Sequence, residues 1–374
     1  MRIAINTRFL LKGQLEGLGL YTHEVSRRLV DQHPHHEYHF FFDRPYDEEF
    51  IYGTNVIPHV VFPPARHPAL WYTWFEWSVP RRLKKLQPDI FFSPDGFTSL
   101  TFRGKKATVI HDLGFEHYPE HLPPLTRRYY RRYTPKYCRS SDHIFAVSET
   151  TRSDICSTYD IPPSRVSVAF NGCREGFLPI DDKEKHAIRK IYSEGKPYFL
   201  FVGALHPRKN TAHLLRSFEE FCKREEGFKL LVTGRKAWMN REMEEVFHNM
   251  EYNEDVHFLG YLDKEDLQNV TGAAFACLYP SVFEGFGVPM LEAMNCGVPV
   301  VASNVSVMPE IVGDAGLLID PFSVESTVQG MLKVVKDDAR RSEMIEKGFQ
   351  RAEEFSWDTT ADVIWKRIKE MVNG

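Results

Sequence analysis

The stretch Glu284-Gly-Phe-Gly-Val-Pro-Met-Leu-Glu292 decides the fold of this chain. Before it, residues 275–279 form an apolar run that reads as a buried strand. Inside it, Gly285 and Gly287 permit a tight turn, and Pro289 suits the first position of a helix. That helix is expected to reach about Met294, where Gly297 and Pro299 stop it, and residues 298–302 read as the next strand. A strand, turn, helix and strand in this order is the repeating unit of a parallel α/β sheet. Amides exposed by the glycines point along the positive end of the helix dipole, so the elbow around Gly285, Phe286 and Gly287 is suited to an anion such as phosphate.

The two carboxylates bracket that elbow. Glu292 falls in the first turns of the helix, where an ionised carboxylate can accept two hydrogen bonds from a vicinal diol such as a ribose. Glu284 precedes the turn, where it can orient sugar hydroxyls or stabilise positive charge on a sugar ring. Acids near a helix start are also favoured by the dipole alone; the glycine-proline turn around this pair favours the site reading.

A second window, Tyr198-Phe-Leu-Phe-Val-Gly203-Ala-Leu-His-Pro-Arg208-Lys209-Asn210, is another apolar strand that ends in glycine and leads to two adjacent cations. Ligands of open parallel sheets collect beyond the carboxyl ends of the strands, so Arg208 and Lys209 are expected in the crevice of the Glu284 elbow. Two cations there can neutralise a departing diphosphate, a task that a divalent metal performs elsewhere. The chain contains no Asp-x-Asp, and no cofactor or metal is expected.

In the amino-terminal half, residues 2–6 read as an opening strand, followed by a loop with Gly13, Gly17 and Gly19 and a helix over 21–30. Gly17-Leu-Gly19-Leu-Tyr-Thr22 lacks the third glycine of a dinucleotide fingerprint and follows a long loop, which disfavours a nicotinamide or flavin site. His111 ends the strand-like run Thr108-Val-Ile, at a position that suits either a structural histidine or a ligand contact. Ser148 and Glu149 follow a short strand over 144–147.

These windows resemble the family 4 retaining glycosyltransferases over most of the chain. The resemblance implies a GT-B fold: α/β, two Rossmann-like domains facing each other across a donor-binding cleft, with a carboxyl-terminal helix that returns to the first domain. It implies that Glu284 contacts the donor sugar, that Glu292 holds the nucleotide ribose, and that Arg208 and Lys209 grip the diphosphate beside Gly203. It places His111 on the donor sugar, and Gly17, Gly19, Ser148 and Glu149 on the acceptor side. Glu16 stands where many members have another glycine. The implied reaction moves a hexose from a nucleoside diphosphate sugar to a glycan or lipid-linked acceptor hydroxyl without a metal. The Pro-Arg-Lys-Asn ending resembles mannosyl- and rhamnosyltransferase-like members of bacterial surface polysaccharide and lipopolysaccharide assembly, which favours GDP-mannose. UDP-sugars, a sugar-nucleotide epimerase or phosphorylase on the same scaffold, and an inactive nucleotide-sugar-binding protein remain alternatives.

Length and composition agree with two soluble domains: 374 residues, 43% of them hydrophobic. The expected domains are 1–180 and 181–355, with residues 356–374 as the returning helix, in which Trp365, Ile368 and Met371 recur at helical spacing. A net charge of −4 and the lack of nucleic-acid motifs speak against a nucleic-acid partner. Six cysteines without a Cys-x-x-Cys pair suit a reducing cytosol, and the opening residues lack a signal core, so a cytoplasmic location is expected. Trp71, Trp74, Phe75 and Trp77 precede Arg81, Arg82, Lys84 and Lys85, and a second basic and aromatic stretch spans 127–133. Either these aromatics belong to the core, or they form a face that meets lipid headgroups at the membrane's inner surface. His33, His35, His36 and His39 lack the spacing of a zinc site and read as loop.

Overall fold

The computed structural model describes residues 1–234 and 241–374. Two compact units divide the chain: residues 1–171 with 356–374, and residues 172–355. The first holds a seven-stranded sheet built from β1 (Arg2–Asn6), β2 (Glu37–Phe42), β3 (Val56–Val60), β4 (Ile90–Ser93), β5 (Lys106–Ile110), β6 (His143–Ala146) and β7 (Val166–Val168), in the order β3-β2-β1-β4-β5-β6-β7. The second holds β8 (Tyr198–Val202), β9 (Lys229–Thr233), β10 (Val256–Gly260), β11 (Ala276–Tyr279), β12 (Val300–Ser303) and β13 (Leu317–Ile319), in the order β10-β9-β8-β11-β12-β13. Among the described residues every strand pairing is parallel.

Helices on both faces explain why the strands read as near-continuous apolar runs rather than alternating ones. In the second unit Phe199 and Phe201 of β8 pack with Leu214 and Phe218 of the helix Thr211–Cys222, and with Val328 and Met331 of the helix Val324–Lys336. All six are fully buried, and each such side chain contributes about 1.5–3 kcal/mol by leaving water.

The division at Asn171 and Gly172 falls ahead of the boundary expected at 180. Residues 172–180 belong to the second unit because they pack on it: the Glu175 carbonyl accepts from Gln268 Nε2 at 2.9 Å, and the Ile180 side chain lies against Gly272. The residues just after the expected boundary form a helix, Asp182–Tyr192, started by a reciprocal cap between Asp181 and Glu184.

The last helix, Trp357–Asn373, is part of the first unit. Trp357 meets the Tyr21 ring edge-on at 5.6 Å, Asp358 pairs with Arg28 at 2.7 Å, and Trp365 stacks on His33 at 3.8 Å. Ile364 and Ile368 fill the buried face.

The aromatic stretch resolves mostly inward. Trp74 and Phe75 are fully buried, Trp74 Nε1 donates to the Val61 carbonyl at 2.7 Å, and Trp71 stacks on Tyr130. Of the four aromatics Trp71, Trp74, Phe75 and Trp77, only Trp77 is largely exposed, at 56%. The tyrosines of the helix Pro124–Ser140 likewise join this cluster, while Arg128, Arg131 and Arg132 face outward. His39, expected in a loop, lies in β2 and bonds His59 Nε2 at 2.8 Å. No helix among the described residues is long and apolar enough to cross a membrane.

Candidate functional site

In the second unit the strand order reverses between β8 and β11, and the crevice at such a reversal is where open α/β sheets bind ligands. After β8 the chain turns through Gly203 into a single helical turn, Pro207–Lys209, and Asn210 then adopts a left-handed conformation to start the next helix. After β11 it passes through Glu284 to Gly287, which at φ 100° caps the helix Val288–Asn295. That conformation requires glycine, and a Cβ there would also lie 2.4 Å from Met290 Cε, so the end of the Met290 side chain would have to move. Gly285 has no positive φ, so the turn rests on Gly287, and Pro289 takes the second helical position. The loops are tied by Val282 N–H donating to the Arg208 carbonyl at 2.8 Å and Arg208 Nη1 donating to the Phe283 carbonyl at 3.1 Å.

This brings three of the expected residues into contact. Glu284 receives Arg208 Nη1 on one oxygen at 2.5 Å and Lys209 Nζ near the other at 2.6 Å. Lys209 Nζ also donates to the Tyr279 hydroxyl at 2.8 Å. Burial pushes the Glu284 carboxyl up, but the two cations outweigh it and hold the pKa at about 2. Glu284 is therefore a permanent anion near neutral pH and cannot serve as a proton donor. The three side chains carry one net positive charge at the mouth of a helix N-terminus, an arrangement that attracts an anion.

Gly203 faces this cluster, since a Cβ there would lie 3.2 Å from Lys209 Cε. Phe286 is buried against Phe355, edge-on at 5.6 Å. Glu292, 1% exposed, is engaged by Arg174 through two hydrogen bonds.

The remaining expected residues lie in the first unit. His111 follows β5, and its Nε2 sits 2.7 Å from the Pro94 carbonyl. That contact requires Nε2 to carry the proton, and burial lowers the pKa, so the neutral ring keeps Nδ1 as an acceptor. Gly17, at φ 46°, caps the helix Leu18–Gln32, which starts earlier than expected; a Cβ on Gly19 would clash with the Phe9 carbonyl at 2.7 Å. Ser148 is fully buried and caps the helix Glu149–Tyr159, its Oγ accepting from Thr151 N–H at 3.0 Å. Glu149 is exposed and pairs with Arg152 at 3.0 Å. No group of three His, Cys, Asp or Glu among the described residues could hold a metal ion.

Sequence reasoning missed Tyr279, Ser306 and Arg174. Tyr279 was legible only as the last residue of an apolar strand. Ser306, at φ 55°, brackets Glu284 by accepting from its N–H at 3.2 Å and donating to its carbonyl at 2.9 Å. No local pattern marks it.

Comparison with known proteins agrees with this architecture. Residues 15–175 match the family described as Glycosyltransferase Family 4, and residues 182–351 match Glycosyl transferases group 1. O-antigen chain mannosyltransferase B of Escherichia coli is 32% identical over 286 residues, which cover 75% of this chain and 74% of that protein. O-antigen chain mannosyltransferase RfbU of Salmonella typhimurium is 25% identical over 75% of this chain and 76% of its own. The structure of WaaG, a glycosyltransferase involved in lipopolysaccharide biosynthesis, superimposes with a TM-score of 0.76 over the full length of both chains at 18% identity, a likeness of fold. With two parallel-sheet domains, matches to both family descriptions and a relative above 30% identity, the chain belongs to the family 4 glycosyltransferases of GT-B fold and is a hexosyltransferase.

Proposed function

We propose that this enzyme transfers mannose from GDP-mannose to a hydroxyl of a glycan or lipid-linked saccharide in surface polysaccharide assembly, with retention at the anomeric carbon and without a metal. The observation that carries the reading is the Arg208–Glu284–Lys209 cluster beside the Gly287 helix start. Its surplus positive charge suits a diphosphate leaving group. The mannose preference is supported by the names of the two O-antigen relatives.

In this mechanism the bond between the anomeric carbon and the diphosphate oxygen breaks, and its electron pair stays on the phosphate. Arg208, Lys209 and the amides after Gly287 stabilise that developing charge, which is the dominant catalytic effect. The acceptor oxygen bonds to the anomeric carbon and its proton passes to a leaving-group phosphate oxygen. Glu284 orients sugar hydroxyls and both cations, and His111 Nδ1 accepts from a donor-sugar hydroxyl. Glu292 holds the ribose, with Gly17, Gly19, Ser148 and Glu149 on the acceptor side.

The test is incubation with labelled GDP-mannose and UDP-glucose, each with and without a chelator. Chelator-insensitive consumption of GDP-mannose alone is expected. UDP-glucose selectivity would discard mannose, loss of activity with the chelator would discard metal independence, and nucleotide binding without transfer or hydrolysis would favour a binding protein.

Association with the inner membrane surface is a second reading, favoured by one feature of the first unit. Exposed Trp77 has the Arg81 guanidinium 6.0 Å from its ring centre, and both line a shallow pocket of about 580 Å³ with Lys84 and Arg103. Over residues 66–139 the sequence holds 14 Lys and Arg against 6 Asp and Glu, a surplus that attracts anionic headgroups. Co-sedimentation with vesicles of anionic phospholipid, reduced in Trp77→Ala, is expected; no sedimentation of the wild type would end this reading.

A further inference from the structure

Glu292 does not stand alone. Arg174 Nε donates to its Oε1 at 2.5 Å and Nη2 to its Oε2 at 2.9 Å, a parallel fork that fixes the plane of the carboxylate. Carboxylate and guanidinium side chains are 2% and 20% exposed. The arginine is itself held, with its guanidinium carbon 4.9 Å from the centre of the buried Phe177 ring. The strap that carries it is pinned by the Gln268 contact to the Glu175 carbonyl and by a turn at Gly176, φ 93°. Arg174 and Glu292 are 118 positions apart, so the pair is made by the fold and not by local sequence.

A carboxylate offers about four lone-pair sites. The fork uses one on each oxygen and leaves one on each, which is the complement of two adjacent hydroxyls. We infer that Arg174 is a positioning residue for the nucleotide ribose, orienting Glu292 so that its two remaining lone pairs receive a vicinal diol. The inference rests on the reading of Glu292 as the ribose ligand. A lysine cannot make the fork, because its ammonium is a point donor that leaves the carboxylate free to rotate.

The experiment measures binding of GDP and UDP to the wild type, then of the tighter of the two and its 2′-deoxy analogue to the wild type, Arg174→Lys, Arg174→Met and Glu292→Gln. Thermal unfolding identifies the variants that fold, and Arg174→Lys keeps the charge where Arg174→Met does not fold. The wild type is expected to prefer the ribonucleotide by about 10-fold, the worth of one lost buried hydrogen bond. In both Arg174 variants that preference should fall to about 2-fold or less, with donor KM raised about 10-fold and kcat within about 3-fold. An arginine that only stabilises the fold would leave the ribose preference intact, and that result overturns the inference. Tighter binding in Arg174→Met would also overturn it, making the arginine a plug over Glu292. Loss of the preference in Glu292→Gln alone would leave the ribose reading standing without Arg174. Retention of the preference in Glu292→Gln, or binding of neither nucleotide by the wild type, would remove the ribose reading itself.

Discussion

Each sheet reverses its strand order once, between β1 and β4 in the first unit and between β8 and β11 in the second, and each reversal carries ionic groups at its carboxyl edge. At the first, Arg8 Nε donates to Asp95 at 2.5 Å, and both side chains are almost inaccessible, at 3% and 1%. Asp95 also accepts from Ser93 Oγ at 3.2 Å and Phe97 N–H at 3.1 Å, while the Arg8 guanidinium lies 4.4 Å from the Phe97 ring centre and 5.2 Å from that of Phe75. One cation meets one anion, and aromatic rings seal them. At the second, two cations share one carboxylate and a helix N-terminus opens beside them. The same topological position is therefore neutral and closed in one unit, and positively charged in the other. A shared fold marks where a ligand can sit; side-chain charge decides which reversal takes an anion.

The largest effect should come from breaking the sealed pair. Arg8→Met leaves Asp95 buried without its cation and should destabilise the protein by about 3–5 kcal/mol, read by denaturant unfolding. A loss below about 1 kcal/mol would mean that the first reversal is not sealed as described. Lys209→Ala should act in the opposite way. Arg208 still pairs with Glu284, so folding is kept while turnover falls on the order of 10²-fold or more with any donor, because a charge that stabilises the leaving group is gone. Unchanged turnover would erase the contrast between the two reversals.

A smaller effect sharpens the comparison through pH. The Glu284 carboxyl is held at about 2, below the ordinary value near 4.3, so its stabilising contribution is complete above the ordinary value and is lost as pH falls towards 2. Between about pH 5 and pH 2 the wild type should therefore lose up to about 3 kcal/mol more stability than Glu284→Gln. Parallel acid limbs would show that the two cations do not hold the carboxylate. Gly203→Ala should do least, since its backbone is unstrained and the new methyl group only presses on Lys209 Cε. A stability change of about 0.5 kcal/mol and a few-fold loss of turnover are expected; a loss as large as that of Lys209→Ala would mean the close approach at Gly203 matters more than the charge.

The second reversal was the more legible of the two because its parts lie in short windows. An apolar strand, a glycine, a cation pair or an acid, and a helix start can each be read within about a dozen residues. What joins the windows was not legible. Arg8 and Asp95 are 87 positions apart and nothing around Arg8 distinguishes it from a surface arginine, and Arg174 meets Glu292 across 118 positions. Burial of Trp74 and Phe75 was equally hidden, because an aromatic helix beside basic residues has the same pattern whether its rings face the core or a lipid surface. Helix and strand bounds shifted by one to three residues where caps, such as Gly17, lie outside the apolar periodicity.

The most direct test is a calorimetric titration of GDP and UDP, with a chelator present, into wild type, Lys209→Ala and Arg8→Met under conditions where each is folded. The account predicts that the wild type binds one of these nucleotides, that Lys209→Ala weakens that binding by about 10-fold or more, and that Arg8→Met leaves it within about 2-fold. Equal affinity in wild type and Lys209→Ala, or loss of affinity in Arg8→Met alone, would contradict the assignment of the anion site to the second reversal.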